Sequence, residues 1–160
     1  MELAVPDTEA VEVLTDLWIA LATDQRSFGS HLLPEANRPT IRAAITRFVV
    51  ADTIVVARDD DAILGFVMFD LETGIYQQDV TRGVVMNIFV RPEHRGQGVG
   101  SALLAEAESR LEAAGADTVT LDVMAANDRA IQFYERHGYA AHRIQLEKHI
   151  ENDNHSKEQD

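Results

Sequence analysis

The stretch from Gly83 to Leu111 constrains the fold of this chain more than any other part of the sequence. It opens with an almost continuous apolar run from Val84 to Val90, which only Asn87 interrupts. A short apolar run bounded by turn residues is typical of a strand that is buried on both faces. Pro92 has no backbone N–H and holds the residue before it in extended geometry, so the predicted strand ends there.

A glycine-rich turn and a helix follow this predicted strand. After Val99 the apolar residues recur at helical spacing, and Gly115 has the position of a glycine that ends a helix. Glycines alternate with other residues from Gly96 to Gly100, and Arg95 precedes them. Unpaired N–H groups and the positive end of the helix dipole meet at such a helix start, where glycine lets a ligand approach the backbone. The sequence therefore predicts a site for a ligand that carries phosphate groups.

The spacing of the turn excludes two familiar nucleotide motifs. A P-loop requires Gly-Lys followed by Ser or Thr, whereas Gly100 is followed directly by Ser101. A dinucleotide fingerprint requires G-x-G-x-x-G, and this turn has the pattern G-x-G-x-G. Neither a nucleoside triphosphatase nor a dinucleotide-dependent enzyme is predicted.

The turn resembles the acetyl-CoA-binding signature of the GNAT superfamily of N-acetyltransferases, Gln/Arg-x-x-Gly-x-Gly/Ala, through Arg95, Gly98 and Gly100. A second stretch, Asn127 to Tyr139, resembles the other signature of this superfamily, Asn-x-x-Ala-x-x-Phe-Tyr followed by Gly and an aromatic residue. The two motifs occur in the superfamily's order and separation. The resemblance implies an α/β fold with a central mixed, mostly antiparallel sheet flanked by helices on both faces. Residues 1–150 are expected to form this single domain, and residues 151–160 a polar tail.

The resemblance implies acetyl-CoA as cosubstrate and no metal. Main-chain groups of Ile88 and Val90 are expected to pair with the pantetheine arm, and a backbone N–H at Val90 or its neighbour to meet the thioester oxygen. Backbone N–H groups from Arg95 to Ser101 are expected to bind the pyrophosphate. Asn127 matches an asparagine that contacts the CoA arm, although a helix N-cap explains it equally well. The predicted cofactor-binding residues are Ile88, Phe89, Val90, Arg95, Gly96, Gln97, Gly98, Val99, Gly100, Ser101 and Asn127.

Two side chains are predicted to act on the reacting groups. The resemblance assigns Tyr134 to protonation of the departing thiolate, with core packing as the alternative. Asn87 is expected to orient the acceptor by hydrogen bonding, with a buried, satisfied amide as the alternative. Many superfamily members carry a carboxylate base on this strand, whereas this chain has Met86 and Asn87, which cannot accept a proton. Asp70 and Glu72 remain candidates for a base that acts through water, or the amine arrives neutral.

The predicted function is transfer of an acetyl group from acetyl-CoA to a primary amine of a small molecule or peptide, by direct attack on the thioester. The missing strand carboxylate leaves open a second function, a non-catalytic module that binds or senses acyl-CoA. The superfamily's frequent dimers make a homodimer an expectation. The resemblance places the first two predicted helices and their connection beside the acceptor, so it implies that Phe28, His31 and Arg38 contact the acceptor, with ordinary loop residues as the alternative.

Composition bounds the partners and the compartment. The chain has 27 acidic and 14 basic residues, a balance that opposes binding to nucleic acid or to an anionic membrane surface. The balance fits a high-salt cytoplasm as well as ordinary acidic composition, so it identifies no substrate. Without cysteine the chain has no disulfides, thiolate metal sites or cysteine nucleophile. No basic leader and no apolar run of membrane-spanning length occur, so a cytoplasmic protein is expected.

The rest of the chain is predicted to supply helices and strands around the central strand. An amphipathic helix is expected from Asp7 or Thr8 to about Asp24, and a second helix from about Thr40. The remaining predicted elements are an antiparallel hairpin of Thr53–Ala57 and Ile63–Phe69, a strand at Thr118–Val123 parallel to the central one, a helix that starts at Asn127 or Asp128, and one or more strands within Tyr139–Ile150.

Overall fold

A computed structural model describes residues 1–151 of the chain. The chain forms two units, Met1–Asn127 and a second that begins at Asp128. The expectation that residues 1–150 form one domain stays a prediction. Of the predicted tail, residues 152–160 lie outside the described residues. Within residues 1–151 no helix is both long enough and apolar enough to cross a membrane.

Five strands and three helices make up the first unit. The strands are β1 (Glu2–Ala4), β2 (Ile54–Asp59), β3 (Ala62–Leu71), β4 (Arg82–Val90) and β5 (Thr118–Leu121), and the helices are α1 (Val11–Arg26), α2 (Arg38–Val50) and α3 (Val99–Ala113). The strands form one sheet in the order in which they occur along the chain. Neighbours are antiparallel from β1 to β4, and β5 pairs parallel with β4. A parallel pair needs a crossover connection, which α3 provides.

The two faces of the sheet are covered by different helices. On one face, Leu14 of α1 and Ile45 of α2 join Phe66, Met68 and Phe89 of the strands in one apolar core. On the other face, the buried residues of α3 pack over β2, β3 and β4. Burying such apolar surface, at about 25 cal/mol per Å², is the main force that holds the layers together. This arrangement confirms the predicted α/β fold with a mostly antiparallel sheet.

Glycines mark both ends of α3. Gly98 precedes the helix with φ of +85°, and Gly115 follows it with φ of +108°, a left-handed conformation that glycine adopts without strain. At the C-terminal end, Ala116 donates its N–H to the carbonyl of Leu111 at 3.0 Å. This bond and the glycine form a common helix stop, which confirms the predicted role of Gly115.

A β-bulge in β4 changes the face to which its side chains point. Across the β3–β4 ladder, Phe69 pairs with Val85 and Met68 with Asn87, so Met86 is an extra residue in β4. Strict alternation would put Val85 and Asn87 on the same face of the sheet. The bulge instead turns Asn87, with Met68, toward the face that α1 and α2 cover. Met86 is 50% exposed, so the prediction of a strand buried on both faces is wrong at this residue.

The described part of the second unit contains one helix, α4 (Asp128–Arg136), which ends before Gly138 at φ of +92°. The strands predicted within Tyr139–Ile150 are a wrong prediction, because this segment has no regular structure. Ile144 is 79% exposed and Leu146 is 90% exposed. An alternating pattern favours extended geometry, but a strand also needs a partner strand to satisfy its backbone groups. Up to residue 151 this unit contains no strand.

Candidate cofactor and acceptor site

The glycine-rich turn connects the end of β4 to the start of α3, as predicted. The chain makes a short 3-10 turn at Pro92–His94, and Gly96 and Gly98 then adopt φ values of +78° and +85°. A Cβ added to either glycine would meet no atom within 4 Å. These positions therefore require glycine for the backbone conformation, and the space in front of them is open to a ligand.

The backbone of this turn presents a group of free hydrogen-bond donors. Within residues 1–151 no partner is recorded for the N–H groups of Gly96, Gln97, Gly98, Val99 and Gly100. The first turn of α3 has no acidic residue, so no carboxylate there offsets the positive end of the helix dipole. This arrangement suits a diphosphate chemically. That these groups bind the pyrophosphate of CoA together with Ser101 stays a prediction.

The edge of β4 that leads to the turn is unpaired. Strand β5 pairs with β4 only over Arg82–Val85. Among the described residues, no strand pairs with the same edge over Met86–Val90. A linear ligand with amide groups can bind such an edge as an additional strand. Ile88 and Val90, the residues predicted to bind the pantetheine arm, both lie on this edge.

Arg95 folds back onto the end of β4. Its Nε donates to the carbonyl of Val90 at 2.8 Å, and its guanidinium carbon lies 5.3 Å from the centre of the Phe89 ring. A guanidinium nitrogen of Arg95 also lies 3.6 Å from a carboxylate oxygen of Asp24, at the end of α1. The charge of Arg95 is thus beside the turn but already has a partner. Its role as a phosphate ligand stays a prediction.

Phe89 offers neither its side chain nor its backbone groups to a ligand on this edge, because its N–H and C=O face Phe66 of β3 in the ladder. Its ring is 5% exposed and lies 6.5 Å from the ring of Phe66, in the core beneath α1 and α2. Contact of Phe89 with the cofactor stays a prediction, and the structure gives it no free group on this edge.

Asn87 is held by a tryptophan that lies 69 positions away in the sequence. Trp18 on α1 donates its Nε1–H to Oδ1 of Asn87 at 3.1 Å. An indole N–H is only a donor, so the carboxamide oxygen, and not its nitrogen, must face Trp18. The amide nitrogen Nδ2 then points elsewhere, and no partner for it is recorded within residues 1–151. Asn87 as a whole is partly exposed.

The two carboxylates considered as general bases already have partners. Asp70 accepts the N–H of Leu71 at 2.8 Å, and Glu72 accepts an N–H of Arg82 at 3.0 Å. The second contact is an ion pair that joins the two ends of the loop between β3 and β4. A base role for either residue stays a prediction. In the part of the chain that the structure describes, no three His, Asp or Glu side chains come together as metal ligands.

Tyr134 lies on α4 in the second unit. Its ring centre is 5.4 Å from that of Phe133 and 6.0 Å from that of Tyr139, both in edge-on geometry. Burial raises the pKa of Tyr134 to about 12, because the phenolate would lose solvation. The phenol is therefore protonated at neutral pH. Complete proton transfer to a thiolate of pKa about 8.5 costs about 5 kcal/mol, whereas hydrogen bonding to it needs no transfer. Its role as the acid stays a prediction.

The remaining predicted residues lie at helix ends and in loops. Arg38, at the start of α2, donates to Asp16 of α1 at 2.7 Å, so it joins the two helices. Phe28 and His31 follow α1 in a loop. Asn127 lies directly before α4. The structure therefore explains Arg38 by a structural contact, and contacts of the others with acceptor or cofactor stay predictions.

Three residues beside the site were not predicted to belong to it: Trp18, Asp24 and Gly65. A Cβ on Gly65 would lie 2.4 Å from the carbonyl oxygen of Phe89 and 3.1 Å from Cα of Val90. A glycine inside a predicted strand is a recognised signal for such close backbone approach. No comparable signal exists for Trp18 and Asp24, because their contacts depend on how α1 packs against β4 and the turn.

Comparison with known proteins gives matches along most of the chain. Residues 15–139 match the model of the acetyltransferase (GNAT) family. Acetyltransferase SG1711 of Sodalis glossinidius is 33% identical over 88 residues, which are 55% of this chain and 57% of that protein. Mycothiol acetyltransferase of Clavibacter michiganensis is 37% identical over 127 residues, which are 76% of this chain and 38% of that protein. The chain thus spans about half the length, or less, of these relatives.

A solved structure has the same fold. The crystal structure of a GCN5-related N-acetyltransferase from Ralstonia eutropha superimposes with a TM-score of 0.73 and 21% identity. The match covers 93% of this chain and 97% of the other. At this identity the likeness concerns the fold alone.

Proposed function

The chain belongs to the GNAT acetyltransferase family, and on that premise we propose that it transfers the acetyl group of acetyl-CoA to a primary amine of a small molecule or peptide. The amine nitrogen attacks the carbonyl carbon of the thioester directly. The tetrahedral intermediate then collapses, the C–S bond breaks, and the amine leaves as an N-acetyl amide. The CoA sulfur departs as a thiolate that takes up one proton, and the amine nitrogen loses one.

One observation carries this proposal. The unpaired edge of β4 over Met86–Val90 continues directly into the free N–H groups at the start of α3. Acetyl-CoA has the matching chemistry in the same order, because its pantetheine arm contains amide groups and its nucleotide end contains a pyrophosphate. The arm lies along β4 and pairs as a strand does. The pyrophosphate accepts hydrogen bonds from the turn.

Three groups of the chain act on the reacting atoms in this proposal. A backbone N–H at Val90 or its neighbour donates to the thioester oxygen, where negative charge develops in the transition state. Asn87 donates a hydrogen bond to the acceptor, and Tyr134 donates its phenolic hydrogen to the departing sulfur. Because Asn87 cannot accept a proton, the amine reacts in its neutral form or loses its proton to water.

The test is release of CoA thiol from acetyl-CoA in the presence of amino acid amides, peptides, polyamines and aminoglycosides, with mass spectrometry of the acetylated product. Gly98→Asp, which puts a carboxylate at the predicted pyrophosphate site, is the inactive control. Gly115→Asp makes the same change at the other end of α3 and is expected to stay active. Thiol release that depends on an amine supports the proposal. Tight binding of acetyl-CoA without release with any acceptor would support a sensor module instead.

The predicted cytoplasmic location and homodimer remain part of the proposal. Size-exclusion chromatography with light scattering decides the oligomeric state. Activity measured across a dilution series then shows whether a dimer matters for turnover.

A further inference from the structure

The hydrogen bond from Trp18 to Asn87 determines what Asn87 can offer to an acceptor. Trp18 Nε1 lies 3.1 Å from Asn87 Oδ1, and an indole can only donate. If the carboxamide rotated by half a turn, two N–H donors would face each other and the bond would be lost. The bond therefore keeps the amide oxygen of Asn87 occupied and its two N–H groups turned away from Trp18. The amide of Asn87 can therefore act toward an acceptor only as a hydrogen-bond donor.

The β-bulge gives this donor its direction. Because Met86 is an extra residue in β4, Asn87 faces the side of the sheet that α1 covers, where Trp18 can reach it. Its cross-strand neighbour on that face is Met68, which carries no charge. Asn87 also lies three residues before Val90 on the unpaired edge, about 10 Å at about 3.3 Å per residue. A donor at this position can contact an acceptor that attacks a thioester held along the edge.

A donor at this position has a definite chemical preference. An alkylammonium ion has N–H groups only, so it cannot accept a hydrogen bond from Asn87. A carbonyl oxygen next to the reacting amine can accept one. The α-amine of an aminoacyl group has such a carbonyl two bonds from its nitrogen, whereas a polyamine or a lysine side chain has none.

The lack of a proton acceptor at Asn87 points to the same class of amine. An α-amine of pKa about 7.8 is about 30% neutral at pH 7.5, whereas an alkyl amine of pKa about 10.4 is about 0.1% neutral. A site without a base on its central strand therefore favours an amine that is already neutral. Hydrogen-bond direction and proton chemistry are independent considerations, and they agree.

We infer that the acceptor is an α-aminoacyl amine, such as a peptide N-terminus or an amino acid amide, whose carbonyl oxygen accepts a hydrogen bond from Asn87 Nδ2, and that Trp18 is the positioning residue that fixes this amide. The inference rests on the proposed function and narrows its acceptor. In this inference Trp18 acts on the acceptor through Asn87, to which its indole N–H donates.

The test compares L-alaninamide with isopropylamine, which replaces the carboxamide by a methyl group. For each acceptor, kcat/KM is divided by the fraction of neutral amine, and the ratio of the two values is the carbonyl selectivity. The wild-type protein is expected to favour alaninamide by about 10-fold or more, because the site hydrogen-bonds the carbonyl. Trp18→Phe keeps an aromatic ring and removes the N–H, so the selectivity should fall at least about 3-fold. The KM for acetyl-CoA and the Tm should change little.

A double-mutant cycle separates positioning from general damage. Asn87→Ala should abolish the selectivity, and adding Trp18→Phe to it should change the selectivity no further, because the group through which Trp18 acts is gone. Thr23→Val is the matched control on α1, since the hydroxyl of Thr23 donates to the carbonyl of Ile19 in the same helix. It should leave the selectivity at the wild-type value.

Each outcome has a distinct meaning. A wild-type selectivity near one, with both amines acetylated, overturns the proposed acceptor class and leaves the acetyltransferase intact. A selectivity that falls in Asn87→Ala but not in Trp18→Phe overturns the role of Trp18. If no amine is acetylated although acetyl-CoA binds, the proposed function itself fails, and the inference fails with it.

Discussion

The carboxylate of Asp24 at the end of α1 lies 3.6 Å from the guanidinium of Arg95, the first residue of the turn signature. The pair joins the helix that carries Trp18 to the turn proposed to bind the pyrophosphate. On the proposal that Arg95 contacts the pyrophosphate, Asp24 is a competitor for its guanidinium. Both partners are about half exposed, so the pair is weak and is screened by salt.

Asp24→Asn should therefore increase the affinity for CoA. The substitution removes a competitor for Arg95 and a negative charge near the anion site, so we expect a 2- to 5-fold lower Kd at low ionic strength, by an estimate of about 0.4–1 kcal/mol. Isothermal titration calorimetry at low salt and at about 1 M salt measures the effect, which should vanish at high salt. Asp16→Asn on the same helix, whose partner is Arg38, is the control and should leave the Kd unchanged. Unchanged affinity of Asp24→Asn at low salt would contradict the competition.

Gly98→Asp should abolish CoA binding while the fold persists. Aspartate tolerates the left-handed conformation better than most residues, and a Cβ here meets no atom within 4 Å, so we expect a loss of about 1 kcal/mol in stability. The new carboxylate would face the proposed pyrophosphate, and the Kd should rise about 100-fold or more. Gly115→Asp carries similar strain at φ of +108° and should bind CoA like the wild type. Equal CoA affinity of the two folded variants in calorimetry would contradict the prediction that the turn binds the pyrophosphate.

Gly65→Ala should destabilise the strand that carries the site. Its Cβ would lie 2.4 Å from the carbonyl oxygen of Phe89, so β3 and β4 must move apart at this point. Overpacking of this kind typically costs about 1–3 kcal/mol, which urea denaturation can measure. CoA affinity should fall as well, because Val90 moves with Phe89. Gly74→Ala, at a position with no atom within 4 Å, should unfold like the wild type, and equal stability of the two variants would refute the close approach.

Tyr134→Phe tests the predicted acid. The substitution keeps the ring and removes the hydroxyl, so acetyl-CoA affinity should change little while kcat falls. General acid catalysis is typically worth about 10²–10⁴-fold, and we expect the lower end because a thiolate is already a fair leaving group. If the interaction exists only in the transition state, kcat and kcat/KM should fall together. Turnover at the wild-type rate with a good acceptor would return Tyr134 to a packing role.

The same variant tests the environment of the phenol without any ligand. Burial raises the pKa of Tyr134 to about 12 from about 10 in the unfolded chain. Between pH 10 and 12 the unfolded chain loses this proton first, so the free energy of unfolding falls as the pH rises through that window. The loss is at most about 2–3 kcal/mol and is absent from Tyr134→Phe. The free energy of unfolding of this variant should therefore rise relative to that of the wild type between pH 10 and 12. Tyr76→Phe, at a tyrosine that is 80% exposed, should follow the wild type in parallel denaturation series.

Most regular elements could be predicted because their signals are local. The apolar run of β4, the glycine turn and the periodic apolar residues of α3 lie within a single stretch, and the parallel pairing of β5 follows from the crossover helix. The prediction of strands within Tyr139–Ile150 was wrong because its signal was not local. Their alternating residues carry no information about a partner strand, and only a partner could turn extended geometry into a ladder.

The site was predictable only in part. The backbone donors at Gly96–Gly100 follow from glycine spacing, because helix geometry dictates where free N–H groups occur. The contact between Trp18 and Asn87 joins residues 69 positions apart. It requires the packing of α1 on the sheet and a bulge that reverses the face of Asn87. The packing of α1 involves residues far from Asn87 in sequence, and the extra residue Met86 becomes evident only when β4 is paired with β3, so no local pattern could indicate the contact.

The bulge at Met86 also affects the edge of β4 that is left unpaired beyond Val85. A bulge bends its strand and increases its twist, and β5 stops pairing with β4 at Val85, directly before the extra residue. Deleting Met86 would leave the ladder partners of Val85 and Asn87 unchanged, and the other side chains of β4 would keep the faces to which they point. It would nevertheless remove the local bend and the added twist that a bulge gives to its strand. The direction that β4 takes along the edge proposed to bind the ligand is thus encoded as a difference of one residue in length between two strands, and in no side chain.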